Sequence, residues 1–152
     1  MGSDSQSDEI AAREVEELYP AVLMLEATAI RHAPPYGAAA LAQMREANAA
    51  LLAAEDAPTA ARADDLFHER LIESCGNAQL LELVRPMREQ LMAYERQYFS
   101  TQDRRAGPAA QHAAIVDALA AGDHERAAAL VRQNFTTALP GQSVGGGGQA
   151  RR

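Results

Sequence analysis

Apolar residues along most of this chain recur at spacings of three and four, which is the period of an amphipathic α-helix. No stretch has the alternation of period two that is typical of strands. The pattern therefore predicts an all-α fold, an antiparallel bundle of about six helices. The predicted helices cover residues 9–33, 37–54, 58–76, 77–100, 109–121 and 124–139.

Proline, glycine and asparagine mark the expected bends and ends of these helices. Pro20 and Pro86 fall inside predicted helices, where the missing N–H is expected to bend the helix. Residues 101–108 contain Asp, Gly and Pro and are predicted to form a turn. Gly76 is expected to end the third helix and Asn77 to cap the fourth. In the same way, Gly122 is expected to end the fifth helix and Asp123 to cap the sixth.

The two ends of the chain differ in composition from the rest. Residues 1–8 are rich in Gly, Ser, Asp and Gln and are predicted to be disordered. Residues 141–152 include four consecutive glycines and are predicted to form a flexible tail. The remaining residues, 9–140, are expected to form one helical domain, and a chain of 152 residues is long enough to bury a real core.

Composition and charge narrow the possible partners. The net charge of -7 argues against binding of nucleic acid or an anionic membrane by this chain itself. The single cysteine excludes an internal disulfide, and the sequence shows neither a secretory signal nor an apolar run that could cross a bilayer. A cytoplasmic protein with no membrane contact is therefore expected.

Polar residues interrupt the apolar stripes of three predicted helices. Asp64 and His68 lie four residues apart on the stripe of the third helix, so their side chains share one face. His112 lies on the stripe of the fifth helix and Asn134 on that of the sixth. A carboxylate and two histidines are the ligands expected of a divalent metal site between bundle helices. They suit zinc, nickel, manganese or iron, and the sequence does not choose among these ions.

Each of these residues also has a simpler interpretation. A single histidine on an apolar face is more often a hydrogen-bonded core residue, and Asp64 could be exposed at a helix N-terminus. The pattern thus leaves open a metal-free helical module with a polar core. It also leaves open a hydrolase in which a metal activates water. Asp65 and Glu69 are the nearest carboxylates in sequence for a general base, but both lie off the stripe and are expected to face solvent.

Several motifs, spread in order along the chain, resemble a known family. The sequence is similar to the C-terminal effector-binding (FCD) domain of GntR-type bacterial transcription regulators, FadR subgroup. The most specific motif, at residues 64–80, resembles the family pattern DxxFH…GNxxL. The others are LY…LE at 18–26, QHxxI at 111–115, GDxxxA at 122–127 and the segment that closes at 134–135. The resemblance covers about residues 14–139.

The resemblance implies an all-helical bundle that forms a homodimer and binds a small, carboxylate-bearing effector above a divalent metal. Many family members hold this metal with Asp, His, His and His. Carried over to this sequence, the ligands are Asp64, His68, His112 and Asn134. The asparagine departs from the family pattern, because an amide oxygen is a weak neutral ligand.

The resemblance also implies an effector-binding set. Val22 stands where the family often has an arginine that meets the effector carboxylate. Arg85 or Arg88 on the fourth helix could replace that arginine, and the alternative is that both are solvated surface residues. Tyr94 and Asn134 complete the predicted set.

In functional terms the resemblance implies a sensor and not an enzyme. Three protein ligands leave metal coordination positions open, and an effector carboxylate could fill one of them. Effector binding would then shift the domain between two arrangements and change how a dimer presents its DNA-binding partners. DNA contact is expected only through a winged-helix domain, which family members carry upstream and which is absent from this chain. The chain is therefore expected to be a truncated piece or a standalone sensor domain.

Overall fold

The computed structural model describes residues 3–101 and 103–136, and it describes side chains for 13–101 and 103–133. Within these residues the chain forms six α-helices and no strand, which confirms the all-α prediction. The predicted flexible tail at 141–152 lies outside the described residues. The helices are α1 (Ser3–His32), α2 (Ala38–Ala53), α3 (Ala57–Glu73), α4 (Ala78–Tyr98), α5 (Asp103–Ala120) and α6 (His124–Thr136).

The first helix is longer than the sequence predicts. α1 begins at Ser3 and includes residues 3–8, for which the composition predicts disorder. Pro20 lies inside α1 and does not divide it into two helices. Buried side chains on both sides of this proline, Tyr19 and Val22, hold the helix against the core and offset the lost backbone hydrogen bond.

The fifth helix begins earlier than predicted. α5 starts at Asp103, so the turn predicted for residues 101–108 is wrong, and the Gly and Pro of this segment are helical. Arg105 accounts for the difference. Its side chain is buried, and its guanidinium donates hydrogen bonds to the carbonyl oxygens of Ala54 and Phe99. These tertiary contacts override the poor helix propensity of the segment.

The predicted helix ends around α3, α4 and α6 are confirmed. Gly76 has a φ of 76°, the left-handed conformation that glycine adopts at little cost after a helix. The side chain of Asn77 caps α4 by accepting a hydrogen bond of 3.1 Å from the N–H of Leu80. Asp123 accepts a similar bond of 3.0 Å from the N–H of Arg126 at the start of α6.

The helices pack so that α1 contacts α3, α4 and α6, while α2 contacts α3 and α5. A large apolar cluster includes Val22, Ile30, Met44 and Phe67, and a smaller cluster forms around Leu51. In the part of the chain that is described, no helix is long and apolar enough to cross a membrane. Among these apolar side chains lies a group of buried charged and polar residues: Glu26, Asp64, His68, Arg88, Glu95 and His112.

Candidate metal centre

The structure brings together three of the four residues predicted as metal ligands. Asp64 and His68 come from successive turns of α3, and His112 comes from α5. One potential ligand atom from each residue lies within 4.8 Å of the other two, and all three side chains are buried. The backbone of Asn134 belongs to α6, but its side chain lies outside the described part of the structure.

Asp64 lies between the two imidazole rings. Its Oδ1 atom is 3.2 Å from Nε2 of His112 and 3.9 Å from Nε2 of His68. The ring of Phe67 stacks on the ring of His112, with centroids 3.9 Å apart and an interplanar angle of 6°. Because Phe67 is on α3, this stack fixes the α5 histidine against the helix that carries the other two residues.

Glu26 on α1 fixes the tautomer of His68. Its Oε2 atom lies 2.9 Å from Nδ1 of His68, and both groups are buried. Burial alone would raise the pKa of Glu26, but the neighbouring His68 and Arg88 lower it below the usual value. A carboxylate can only accept, so Nδ1 of His68 carries the proton. In the neutral tautomer that this contact favours, Nε2 of His68 has the lone pair.

Asn48 on α2 fixes the tautomer of His112 in the same way. Its Nδ2 atom donates a hydrogen bond of 2.9 Å to the carbonyl oxygen of Ala109. This turns Oδ1 of Asn48 towards Nδ1 of His112, at 3.1 Å. Since Oδ1 is an acceptor, Nδ1 of His112 carries the proton and Nε2 faces Asp64 with a lone pair.

Three electron-pair donors therefore converge at one point: Oδ1 of Asp64 and the Nε2 atoms of His68 and His112. Burial lowers the pKa of His112, and this effect outweighs the neighbouring Asp64, so the neutral ring is favoured. The pKa of Asp64 is lowered despite its burial, because His112, His68 and Arg88 surround it. This donor set fits a divalent transition metal, which binds imidazole nitrogen and carboxylate oxygen.

Arg88 on α4 is the buried cation of this region. Its Nε donates to Asp65 at 3.0 Å and its Nη1 donates to Glu26 at 3.3 Å. Its Nη2 contacts both Asp64 at 3.3 Å and Glu95 at 3.5 Å. Burial alone would lower the pKa of Arg88, but these carboxylates raise it above its ordinary value.

Glu95 is the most unusual carboxyl group near the centre. Its Oε1 atom accepts a hydrogen bond of 3.1 Å from the hydroxyl of Tyr19. Its Oε2 atom is buried and has no hydrogen-bond partner among the described residues. Burial, and then the charge of Asp64, raise the pKa of Glu95 well above its usual range. Glu95 lines a cavity of about 30 Å³ together with Tyr19, Val22, Asp64, His68 and Arg88, among others.

The predicted effector-binding residues have different surroundings. Arg88 is buried beside the candidate metal ligands, so the alternative that it is a solvated surface arginine is wrong. Arg85 is exposed and pairs with Glu69 at 3.0 Å, and it lines, with Arg88, a second cavity of about 170 Å³. Tyr94 is half-buried, and its ring packs edge-on against Tyr19 with centroids 6.1 Å apart.

One prediction about the surroundings of the site is wrong. Asp65 was expected to face solvent because it lies off the apolar stripe, but it is largely buried against Arg88. An arginine that is itself buried recruits carboxylates from several directions, including residues outside the apolar face. The apolar stripe of α3 therefore predicted that Asp64 is buried, but it did not predict that Asp65 pairs with Arg88.

Sequence reasoning also missed the outer residues of the site. Glu26 lies four residues after Val22 and four before Ile30, both fully buried, so its spacing placed it on the inner face of α1. Glu95 likewise continues the buried positions of α4, which include Val84 and Leu91. The sequence did contain a signal for these residues, because each is a charged residue at the three- or four-residue spacing of the buried apolar positions. Asn48 gave a weaker signal, because its helix is rich in alanine and only weakly amphipathic.

Comparison with known proteins agrees with this architecture. No curated protein matches the chain. The family profile described as the FCD domain matches residues 17–137, which span all six helices. The match includes α3 and α5, which carry the three converging ligand candidates. The chain therefore belongs to the FCD domain family, whose members are effector-binding domains of GntR-type regulators.

Proposed function

We propose that this domain senses a small, carboxylate-bearing effector and holds a divalent metal through Asp64, His68 and His112. Zinc is the proposed ion, and nickel, manganese and iron suit the same ligands. The observation that supports the metal most directly is the convergence of Oδ1 of Asp64 with the Nε2 atoms of His68 and His112. In the tautomers that Glu26 and Asn48 favour, each ring directs a lone pair at Asp64, and a cation among these atoms would bind all three electron pairs.

The charge of the region supports the same proposal. Glu26, Asp64 and Asp65 surround Arg88, so several buried or largely buried carboxylates share one guanidinium. Buried charges are costly unless they are compensated. A divalent cation next to Asp64 would supply the missing positive charge at the place where the electron pairs converge.

The outer hydrogen bonds are those expected around a metal-bound histidine. Such histidines usually donate their second N–H to a carboxylate or a carbonyl oxygen, which fixes the ring and raises its basicity. Here Glu26 accepts from His68 and Asn48 accepts from His112. Asn134 is proposed as a further ligand, on the basis of the family resemblance.

A metal with three protein ligands supplies open coordination positions for an effector carboxylate. Arg88 has a different proposed role, because its N–H groups already contact protein carboxylates. It orients Asp64 and Glu26 and does not receive the effector directly. The contributions of Arg85, Tyr94 and Asn134 to effector binding stay predictions.

The position of the site supports a sensing role. Its proposed ligands come from α3 and α5, and the residues that hold them come from α1, α2 and α4. A change in metal coordination would therefore affect residues on helices α1 to α5. A shift of the whole domain between two arrangements requires such a connection. We propose that the domain acts as a cytoplasmic homodimer and contacts DNA only through a separate winged-helix domain.

The rival proposal, a metal-dependent hydrolase, has less support. It needs a carboxylate that can act as a general base near the metal. The two candidates from the sequence are both paired with arginines, Asp65 with Arg88 and Glu69 with Arg85. This pairing favours a binding role, as does membership of a family of regulatory ligand-binding domains.

The test is the metal content of the protein purified without chelator, measured by inductively coupled plasma mass spectrometry. Three proteins are compared: the parent, His112→Ala, and His32→Ala as a control that removes an exposed histidine at the end of α1. We expect about one transition metal per chain in the parent and the control, and a loss of metal in His112→Ala. Equal metal content in all three proteins, or metal in none, would contradict the proposal.

A further inference from the structure

The ring of Phe67 lies face to face on the ring of His112. The two rings are parallel to within 6°, and their centroids are 3.9 Å apart. Because carbon atoms in contact are about 3.5–4.0 Å apart, the two rings overlap extensively. Neutral aromatic rings prefer an offset or edge-to-face arrangement, with centroids about 4.5–7 Å apart, because their negative faces repel each other. This stack therefore suits a pair in which one ring carries positive charge.

The interior of the bundle strengthens such an attraction. Phe67 and His112 are both 0 % exposed, so the stack is shielded from water. A cation within about 6 Å of the centre of a ring face is attracted to it, and the attraction is largest where water is excluded. A metal bound at Nε2 of His112 would draw electron density from the imidazole and give that ring part of the positive charge.

The two candidate histidine ligands differ in the groups that surround them. His68 donates its Nδ1 proton to the carboxylate of Glu26, which is negatively charged. His112 donates its Nδ1 proton to the amide oxygen of Asn48, which is neutral. The ring of His68 lies at 82° to the rings of Phe67 and His112, so it meets both of them edge to face. The face of Phe67 thus offers His112 the negative charge density that Glu26 offers His68.

We infer that Phe67 is a positioning residue that strengthens metal binding at His112 through the negative face of its ring. This inference rests on the proposed function, because the metal is the source of the positive charge on the imidazole. It also gives metal binding an effect on packing. Since the stack is stronger when metal is bound, the metal tightens the contact between α3, which carries Phe67, and α5, which carries His112.

The experiment changes the charge of the ring face and leaves its shape nearly unchanged. Phe67 is replaced by mono-, tri- and pentafluorinated phenylalanine, because fluorine withdraws electron density from the face of the ring. Zinc affinity is measured by competition with a chromophoric chelator. We expect the affinity to fall progressively along the series. For the pentafluorinated ring we expect a loss of roughly 5- to 30-fold, which corresponds to about 1–2 kcal/mol.

Phe99 provides the matched control. It is also buried, and its ring packs edge to face against Tyr98 instead of stacking on a candidate ligand. The same fluorinated residues at position 99 should leave zinc affinity nearly unchanged.

The stability of each protein in chelator, measured by urea unfolding, separates the effect of charge from an effect of packing. Without metal the imidazole of His112 is neutral, so fluorination of Phe67 should leave the free energy of unfolding unchanged or raise it. If Phe67 contributed only packing, fluorination would change the stability without metal and the zinc affinity in the same direction. The same measurement shows that each variant folds.

The outcomes separate this inference from the proposal on which it rests. If zinc binds the parent protein and every member of the position-67 series with equal affinity, the inference is wrong and the metal site stands. Equal losses of affinity in the two series, or a loss that accompanies an equal loss of stability in chelator, would also overturn the role of the ring face. If zinc does not bind the parent protein, the proposed function fails and the inference fails with it.

Discussion

The Nε2 atom of His112 lies 3.2 Å from Oδ1 of Asp64, so in the neutral tautomer with its proton at Nδ1 a lone pair of the ring meets the carboxylate. The proton of the ring is at Nδ1, where Asn48 accepts it. A second proton on the ring would also relieve the repulsion, but burial disfavours it by lowering the pKa of His112. A metal ion satisfies the same atoms and leaves the hydrogen bond to Asn48 intact.

Zinc should therefore stabilise the folded domain. A ligand that binds only the native state contributes about 2.7 kcal/mol when its concentration is a hundredfold above Kd. We expect zinc to raise the Tm of the chelator-treated parent protein, measured by circular dichroism, and to leave the Tm of His112→Ala nearly unchanged. His32→Ala should respond like the parent. A zinc response that His112→Ala retains in full would rule out this ligand and favour a metal-free polar core.

Asn48 should influence metal affinity without touching the metal. Asn48→Ala removes the acceptor of the Nδ1 proton, so the tautomer that presents Nε2 is no longer fixed. Loss of such an outer hydrogen bond typically weakens metal binding by about 10- to 100-fold. The measurement is a zinc titration in competition with a chromophoric chelator.

The control for this prediction is Gln43→Ala, which removes an exposed polar side chain from the same helix and should leave the affinity unchanged. A second variant of Asn48 extends the test, because the side-chain amide of Asn48 also donates a hydrogen bond to the carbonyl oxygen of Ala109. Asn48→Asp keeps an acceptor for His112 and loses that donor. It should retain more zinc affinity than Asn48→Ala, and the opposite order would contradict the argument.

The sequence predicted the features that depend on local spacing. The period of the apolar residues gave the all-α fold, and the caps at Asn77 and Asp123 gave the starts of two helices. The interval of four between Asp64 and His68 placed both side chains on one buried face. Each of these features requires only a helix and its own residues.

Features that depend on distant partners were not predictable in the same way. Glu26 and His68 are far apart in sequence, and the residues around each of them do not indicate that the two side chains meet. In the structure Oε2 of Glu26 lies 2.9 Å from Nδ1 of His68. The arrangement of several carboxylates around Arg88 depends on how three helices pack. The start of α5 likewise depends on Arg105, whose partners are the ends of other helices.

Arg105 should accordingly be important for stability, because its buried hydrogen bonds anchor the start of α5. Arg105→Ala leaves the carbonyl oxygens of Ala54 and Phe99 without their buried donor, and each unsatisfied group costs about 1–3 kcal/mol. Urea unfolding should therefore show a loss of roughly 2–6 kcal/mol in the free energy of unfolding. Arg62→Ala, at an exposed position of α3, should change the free energy of unfolding by less than about 0.5 kcal/mol. Similar losses in both variants would mean that the anchoring contacts contribute little.

The buried charges around Arg88 lead to a prediction that links the stability of the folded domain to metal binding. Arg88→Leu removes the guanidinium and leaves Glu26, Asp64 and Glu95 without it, and breaking a buried ion pair from one side costs about 3–5 kcal/mol. We expect this loss in urea unfolding with chelator. The loss should be smaller with saturating zinc, because the positive charge of the ion compensates the same carboxylates.

Arg85 provides the matched control for that comparison. It lies one turn earlier on α4, is half-exposed, and pairs with Glu69 at the surface, where ion pairs contribute about 0–1 kcal/mol. Arg85→Leu should therefore change the stability little, with or without zinc. Equal losses for Arg88→Leu in the two conditions would show that the ion and the guanidinium do not share these carboxylates. A loss that shrinks only for Arg88→Leu would instead place the bound charge beside Asp64, because a more distant ion would be screened from it.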